Sequence, residues 1–352
     1  MAEAQRLDRN MDARDVVDGV RWIPAGAACR LDGRAWSDAA PYARLPDRAR
    51  ALVRDEVWQL SRNAAGLSLS FTTDSPQLSV RWRLTGSELA LPNMPATGVS
   101  GVDLYERVTD RWRWMSIGRW PTFPVSQAQL YSGLERRPRA LRLYLPLYNS
   151  VDQVEIGIVP DASIAPAAIE PARPICCYGT SIVQGGCASR PGLAYPAILS
   201  RRLDLPVLNL GFSGNARMEP ALAALLCELD PCAYLLDALP NMDAAMIDAC
   251  FVPFVSALRA ARPRTPIVLA GHLVTTNAWF DPASARRGSE IEATFRRAVE
   301  RLRVAGVEGL HLIEGPALLG VDGEDTVDGV HPNDLGFLRM AEAIAPTLCR
   351  IL

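Results

Sequence analysis

Two rhythms of apolar positions divide the chain. Between residues 67 and 84 apolar side chains alternate with polar ones: Leu67, Leu69 and Phe71, then Leu78, Val80, Trp82 and Leu84 beyond a Thr-Asp-Ser-Pro turn. A period of two marks a strand with one buried face, and two such runs around a short turn predict a β-hairpin. Similar runs follow at 101–108, 112–117, 141–145 and 151–159 without helical patterns between them. Residues 21–160 are therefore expected to form a β-sandwich. Residues 1–20 read as a poorly ordered leader, and the proline- and alanine-rich stretch 161–174 as a linker.

From residue 175 to the end, at 352, the rhythm changes. Short apolar runs at 175–178, 207–211, 233–239, 266–270 and 309–313 alternate with helical periodicity at 195–203, 219–228, 246–262, 289–305 and 335–347. That alternation predicts an α/β domain, a parallel sheet with helices on both faces, in which ligands bind at the carboxyl ends of the strands. Ser181, Gly214 and Asn241 lie just past predicted strand ends, and His331 lies on a late loop.

Composition narrows the function classes. With 352 residues, 49% of them hydrophobic, the chain can bury a large core, about two domains' worth. A net charge of −2 offers no basic field for nucleic acid. No run approaches the ~18 uninterrupted apolar residues of a membrane span, so neither nucleic acid nor membrane is an expected partner. The polar start has no apolar core of a secretory signal, which predicts a cytoplasmic location. The 8 cysteines form no CxxC pair, and Cys176 and Cys177 adjoin in a predicted buried strand, so reduced thiols are expected. The 3 histidines make no zinc pattern with them; no metal and no cofactor is expected. All 37 basic residues are arginine, which removes Schiff-base chemistry, phosphate-binding lysines and Ser-Lys dyads.

The candidate chemistry sits in two places. Gly179-Thr-Ser181 ends the first apolar run of the second half, and Asp328-Gly-Val-His331 stands near the C-terminus. A serine hydroxyl is too weak an acid to attack a carbonyl unaided; an imidazole can take its proton, and a carboxylate can orient that imidazole. Asp and His three residues apart on a tight turn can both face a serine at a distant strand end. The bland alternatives are a helix N-cap for Ser181, a loop histidine for His331 and a turn former for Asp328. Gly214 and Asn241 are also common turn residues. His272 ends the fourth predicted strand, His311 sits inside an apolar run and Cys187 lies near Ser181; none of these receives a catalytic role. The long loop 89–101, bounded by prolines, is expected to lean over the active-site edge and help select the acyl or alcohol group.

Four blocks in order, Tyr178-Gly-Thr-Ser181-Ile, Asn209-Leu-Gly-Phe-Ser-Gly214-Asn, Leu239-Pro-Asn241-Met and Asp328-Gly-Val-His331-Pro-Asn, resemble the SGNH or GDSL hydrolases. Gly101-Val-Asp103-Leu-Tyr105 resembles the GxDLY signature of a β-sandwich that precedes the hydrolase domain in one branch of them. The resemblance implies a jelly-roll-like sandwich followed, over 175–352, by a three-layer α/β hydrolase domain. It implies Ser181 as nucleophile, His331 as general base, Asp328 as its orienting partner, and an oxyanion hole made by Ser181, Gly214 and Asn241. Two positions depart from the family pattern: Thr180 replaces the Asp of Gly-Asp-Ser, and Leu-Pro-Asn-Met replaces Gly-x-Asn-Asp. The expected activity is a cofactor-free serine esterase that cleaves short-chain, above all acetyl, esters of a small or carbohydrate-like alcohol through an acyl-enzyme. An acyltransferase with the same machinery and a non-catalytic carbohydrate-binding or oligomerising protein are the alternatives. The expected partner is a small-molecule ester, and homo-oligomerisation is left open.

Overall fold

The computed structural model describes residues 19–168 and 172–352; residues 1–18, the bulk of the expected leader, and three residues of the expected linker lie outside them. Strands of the first half are β1 (Arg21–Pro24), β2 (Arg30–Asp32), β3 (Ser68–Thr73), β4 (Leu78–Leu84) and β5 (Asp103–Val108). They continue with β6 (Arg111–Ile117), β7 (Val125–Tyr131), β8 (Arg139–Tyr144), β9 (Val151–Ile158) and β10 (Ile164–Pro166). All pair antiparallel in two sheets, β1-β9-β4-β7 and β10-β3-β8-β5-β6, with β2 sharing the outer edge of β3. Leu69 and Phe71 of β3, Val80 and Trp82 of β4, Leu141 and Leu143 of β8 and Ile156 of β9 form one apolar cluster between the sheets. The expected β-sandwich is there.

The predicted hairpin is not. β3 pairs with β8, whereas β4 pairs with β7 and β9, so the turn after Thr73 crosses from one sheet to the other. Alternation reports which side chains turn inward, but both sheets of a sandwich turn apolar faces inward, so periodicity is blind to the pairing partner. The expected linker also needs correction, because Ile164–Pro166 pairs with Thr73–Phe71 and extends the sandwich beyond residue 160. Three residues are too few for alternation to register. Strand β7 escaped prediction because its inward residues are Ser126, Ala128 and Leu130, a weak apolar signal.

The second half holds β11 (Ile175–Gly179), β12 (Val207–Gly211), β13 (Ala233–Asp237), β14 (Ile267–Ala270) and β15 (Leu310–Ile313), all parallel, in the order β12-β11-β13-β14-β15. Besides short helical turns, and after α1 (Asp55–Ser61) in the first half, its helices include α2 (Ser181–Gln184), α3 (Tyr195–Leu203), α4 (Pro220–Glu228), α5 (Val252–Ala261), α6 (Pro282–Val304) and α7 (Asp334–Ile351). Successive strand residues feed opposite layers. Cys176, Tyr178, Leu208, Leu210 and Tyr234 pack with α4, α5 and α6. Ile175, Cys177, Val207 and Leu235 pack with α3 and α7. Burial on both faces explains why these strands read as continuous apolar runs instead of alternating ones. Helix α6 begins earlier than its periodicity suggested, capped by Asp281, whose carboxylate accepts the Ala283 N–H at 2.9 Å. The helical stretch 244–261 has the length and mean hydropathy, 1.5, of a membrane span. Its Ile247, Phe251, Phe254, Val255 and Leu258 are nevertheless buried in the core against the sheet.

Residues 36–57, placed by sequence in the sandwich, contribute Trp36, Leu45, Ala49 and Val57 to the core of the hydrolase half. Arg44 is 1% exposed there, and its guanidinium donates to the carbonyls of Leu60, Asn63, Asn209 and Gly211. Such a cation stays buried because its donors are spent on backbone oxygens. In this strand order the connections leave the neighbours β11 and β13 in opposite directions, which opens a crevice at their carboxyl ends.

Candidate active site

Ser181 stands beyond β11 and the single capping residue Thr180, as the first residue of α2. Thr180 precedes it in extended conformation, and its Oγ1 accepts the Ile182 N–H at 3.1 Å. Threonine thus supplies the capping oxygen that an aspartate would supply, which explains why this departure from the family pattern leaves the turn intact. Ser181 is 5% exposed, and its Oγ lies 2.9 Å from Nε2 of His331. Nδ1 of His331 lies 2.8 Å from Oδ2 of Asp328. The other oxygen of Asp328 accepts the backbone N–H groups of His331 at 2.8 Å and Val330 at 3.1 Å. With Nδ1 engaged by a carboxylate it carries the proton, which leaves Nε2 free to accept from serine.

The loop that carries both residues is braced from several sides. Gly329 has φ +88°, a left-handed conformation that glycine adopts without strain, and its carbonyl accepts the Thr276 N–H at 3.0 Å. The Val327 N–H donates to the His331 carbonyl at 2.9 Å. Asn333 then caps α7 through Gly336 N–H at 3.0 Å. Burial would push the Asp328 carboxyl up, but the His331 N–H, the side-chain amide of Asn93 and the imidazole outweigh it and hold the group at about 2. Asp328 is therefore a carboxylate at neutral pH.

The residues expected to bind an oxyanion lie past the carboxyl ends of β12 and β13. Gly214 has φ +69°, and a Cβ there would project into open space. The Ser213 N–H donates to Gln184 Oε1 at 3.1 Å, and the Phe212 N–H to the Gly179 carbonyl at 2.8 Å, so the 212–214 turn is tied to the serine turn. Asn241 stands in the 3₁₀ turn Leu239–Asn241 after β13, and its Oδ1 accepts the Ala216 N–H at 3.2 Å. That bond orients the amide and leaves Nδ2 without an acceptor among the described residues. All five residues named from sequence therefore stand at the carboxyl edge of the sheet or on the loop facing it. The functional contact missed by sequence is Asn93, from the sandwich loop 89–101, whose Nδ2 donates to Asp328 Oδ2 at 2.8 Å.

Other candidates separate cleanly. Cys187, Asp328 and His331 place a thiol, a carboxylate and an imidazole within 4.8 Å of one another, the kind of set that holds a metal ion. Both imidazole nitrogens are already bonded to Ser181 and Asp328, and burial together with Asp328 pushes the thiol up to about 12. With Nδ1 on the carboxylate and Nε2 on the serine hydroxyl, the imidazole stands in the arrangement of a proton relay. His272, beyond β14, is lowered to about 4 by burial and by Arg287, and no bond joins it to the triad. An open depression of about 390 Å³ lined by Glu56, Gln59, Leu60, Asn63, Tyr148, Ser213 and Asn215 includes none of the triad. A larger cavity of about 540 Å³, between the two halves, includes none of the triad.

Comparison with known proteins agrees with this arrangement. Residues 172–349 match the GDSL-like lipase/acylhydrolase family, and residues 20–164 match the GxDLY family, the N-terminus of SGNH-hydrolase-type esterases. A Bacteroides ovatus protein provisionally described as a GDSL-like lipase is 34% identical, with a TM-score of 0.91 over 94% of this chain and 98% of its own. The salicylyl-acyltransferase SsfX3 of a tetracycline biosynthetic pathway is 21% identical and shares the fold at a TM-score of 0.75 over 95% of this chain and 98% of its own. A family two carbohydrate esterase from Cellvibrio japonicus is 14% identical and shares it at 0.60 over 94% and 98%. No curated protein matches the sequence significantly. The chain belongs to the GDSL-like lipase/acylhydrolase family, carries the GxDLY sandwich of SGNH-type esterases at its N-terminal side, and is a carboxylic ester hydrolase.

Proposed function

We propose that the protein is a serine esterase that removes short acyl groups, acetyl above all, from a small hydroxylated alcohol. The observation that carries this reading is the continuous relay Asp328–His331–Ser181, with contacts of 2.8 and 2.9 Å, at the mouth of the β11/β13 crevice. Ser181 Oγ attacks the ester carbonyl carbon while its proton passes to Nε2 of His331. The tetrahedral oxyanion accepts hydrogen bonds from the N–H groups of Ser181 and Gly214 and from Nδ2 of Asn241. His331 returns the proton to the leaving alkoxide oxygen, which frees the alcohol and leaves an acyl-serine. Water, deprotonated by the same imidazole, attacks the acyl-serine and releases the carboxylic acid and the serine.

The carbohydrate esterases among the structural neighbours favour a hydroxylated alcohol. A second reading, transfer of the acyl group to an alcohol in place of water, is supported by the acyltransferase whose fold this chain follows over 95% of its length. The test is turnover of p-nitrophenyl acetate, butyrate and octanoate and of an acetylated sugar, by wild type and Ser181→Ala, with and without small alcohols. Rates that fall with chain length and drop ~10⁴-fold or more in Ser181→Ala support the esterase. An alcohol-dependent ester product favours the transferase. Equal rates in wild type and Ser181→Ala would overturn both.

A further inference from the structure

We propose that Asn93 is a positioning residue of the hydrolase: its side-chain amide holds the Asp328 carboxylate in the orientation that serves His331, so the accessory sandwich completes the catalytic relay. The inference rests on the triad reading above.

The bond itself is short and specific. Asn93 Nδ2 donates to Asp328 Oδ2 at 2.8 Å, the same oxygen that meets Nδ1 of His331 at 2.8 Å. The other carboxylate oxygen is held by two backbone N–H groups of its own turn. Those two bonds and the imidazole all belong to the turn that carries Asp328, whereas the Asn93 amide reaches the carboxylate from outside that loop. The need is real because the Asp328 side chain is 33% exposed, where water competes for its lone pairs. An amide suits the place because it donates to the carboxylate without adding a positive charge that would oppose the imidazolium formed during attack.

The loop that presents Asn93 is anchored to the hydrolase half on both sides of it. Leu91 and Met94 exchange backbone hydrogen bonds at 2.9 and 3.0 Å, which closes a tight turn around Pro92 and Asn93. Met94 is 2% exposed and belongs to the apolar cluster of Ile182, Val183 and Leu273. Thr97 Oγ1 donates to the Ser189 carbonyl at 2.6 Å. Gly98 lies so close that a Cβ would stand 2.2 Å from the Ala188 carbonyl oxygen. The loop is thus fixed against the segment that runs from Ser181 to Ser189, and Asn93 reaches the carboxylate from a rigid base.

The experiment compares Asn93→Ala and the isosteric Asn93→Asp with Asp328→Ala as reference, reading kcat, KM, the pH profile of kcat/KM on p-nitrophenyl acetate, and Tm. Asn93→Ala should lower kcat about tenfold, the worth of one hydrogen bond to a charged group, with KM within about twofold. Asn93→Asp should lower kcat as well and move the acid limb of the profile up by about one pH unit, because a second carboxylate near the imidazole favours its protonated form. A residue that merely packs would change Tm and leave that limb in place. If Asp328→Ala loses activity by about 10⁴-fold while both Asn93 variants keep wild-type kcat and the same limb, the inference fails and the triad reading stands. If Asp328→Ala is fully active, the triad reading fails and takes the inference with it.

Discussion

Asp103 of the GxDLY motif, its side chain buried, and the partly exposed Arg190, downstream of Ser181, meet as an ion pair at 2.8 Å. The Asp103 side chain is 0% exposed; Oδ2 also accepts the Gly192 N–H at 2.8 Å and Oδ1 the Trp114 Nε1–H at 2.9 Å. Arg190 in turn donates to the Tyr105 hydroxyl at 2.5 Å. The motif is therefore a dock: its acid and its tyrosine grip the segment that follows Ser181 and fix the sandwich to the hydrolase half.

From that geometry Asp103→Ala should be severely destabilising. It leaves the buried Gly192 N–H without its acceptor and takes the carboxylate from the partly exposed Arg190 guanidinium and Trp114 indole N–H, a loss of about 3 kcal/mol. Urea denaturation at neutral pH measures it. A midpoint equal to wild type would mean that water replaces the carboxylate at no cost and that the motif does not dock the domains.

Asn241→Ala tests the oxyanion donors separately from the relay. If Nδ2 serves the transition state, kcat should fall by about 10² to 10³, or roughly 3 kcal/mol, with KM little changed, since the developing oxyanion exists only at the barrier. Because Oδ1 also accepts the Ala216 N–H, Tm should be followed in parallel. A kcat within twofold of wild type would remove Asn241 from the hole.

Much of this was readable from the chain, and the boundary of legibility is physical. Strands β11 to β14 lie with both faces covered, so their apolar runs announce them, and Ser181, Gly214 and Asn241 sit at their ends where a parallel sheet exposes ligands. Asp328 and His331 could be paired because their partnership is local. Asn93 could not: a single asparagine in a proline-bounded loop has no pattern, and its contact spans 235 residues. The loop's lean toward the active site was anticipated, but not that its tip touches the triad. The sheet crossing after Thr73 was equally hidden, since alternation encodes a face and not a neighbour. Trp36, Leu45 and Val57 likewise look like any apolar residues near a sandwich, and only packing assigns them to the hydrolase core.

Asp237 predicts a pH dependence of stability unrelated to catalysis. It ends β13, is 1% exposed, and its carboxylate accepts a hydrogen bond from the Tyr195 hydroxyl at 3.1 Å. Burial raises its pKa from 3.8 to about 6, against a smaller lowering by Tyr195. Below about pH 4 both folded and unfolded chains hold this proton, and the group contributes no pH dependence. Between about 4 and 6 the folded state keeps the proton while the unfolded state releases it, so stability falls as pH rises, by about 3 kcal/mol in all. Above about 6 both forms are ionised and the loss is complete. Asn at this position carries no charge at any pH, so the difference in unfolding free energy between Asp237→Asn and wild type should grow across that window and then stay constant. Urea unfolding of both proteins at several pH values from 4 to 8 measures the difference directly. A constant difference over the whole range would show that the Asp237 carboxyl ionises in the folded protein as readily as in the unfolded chain.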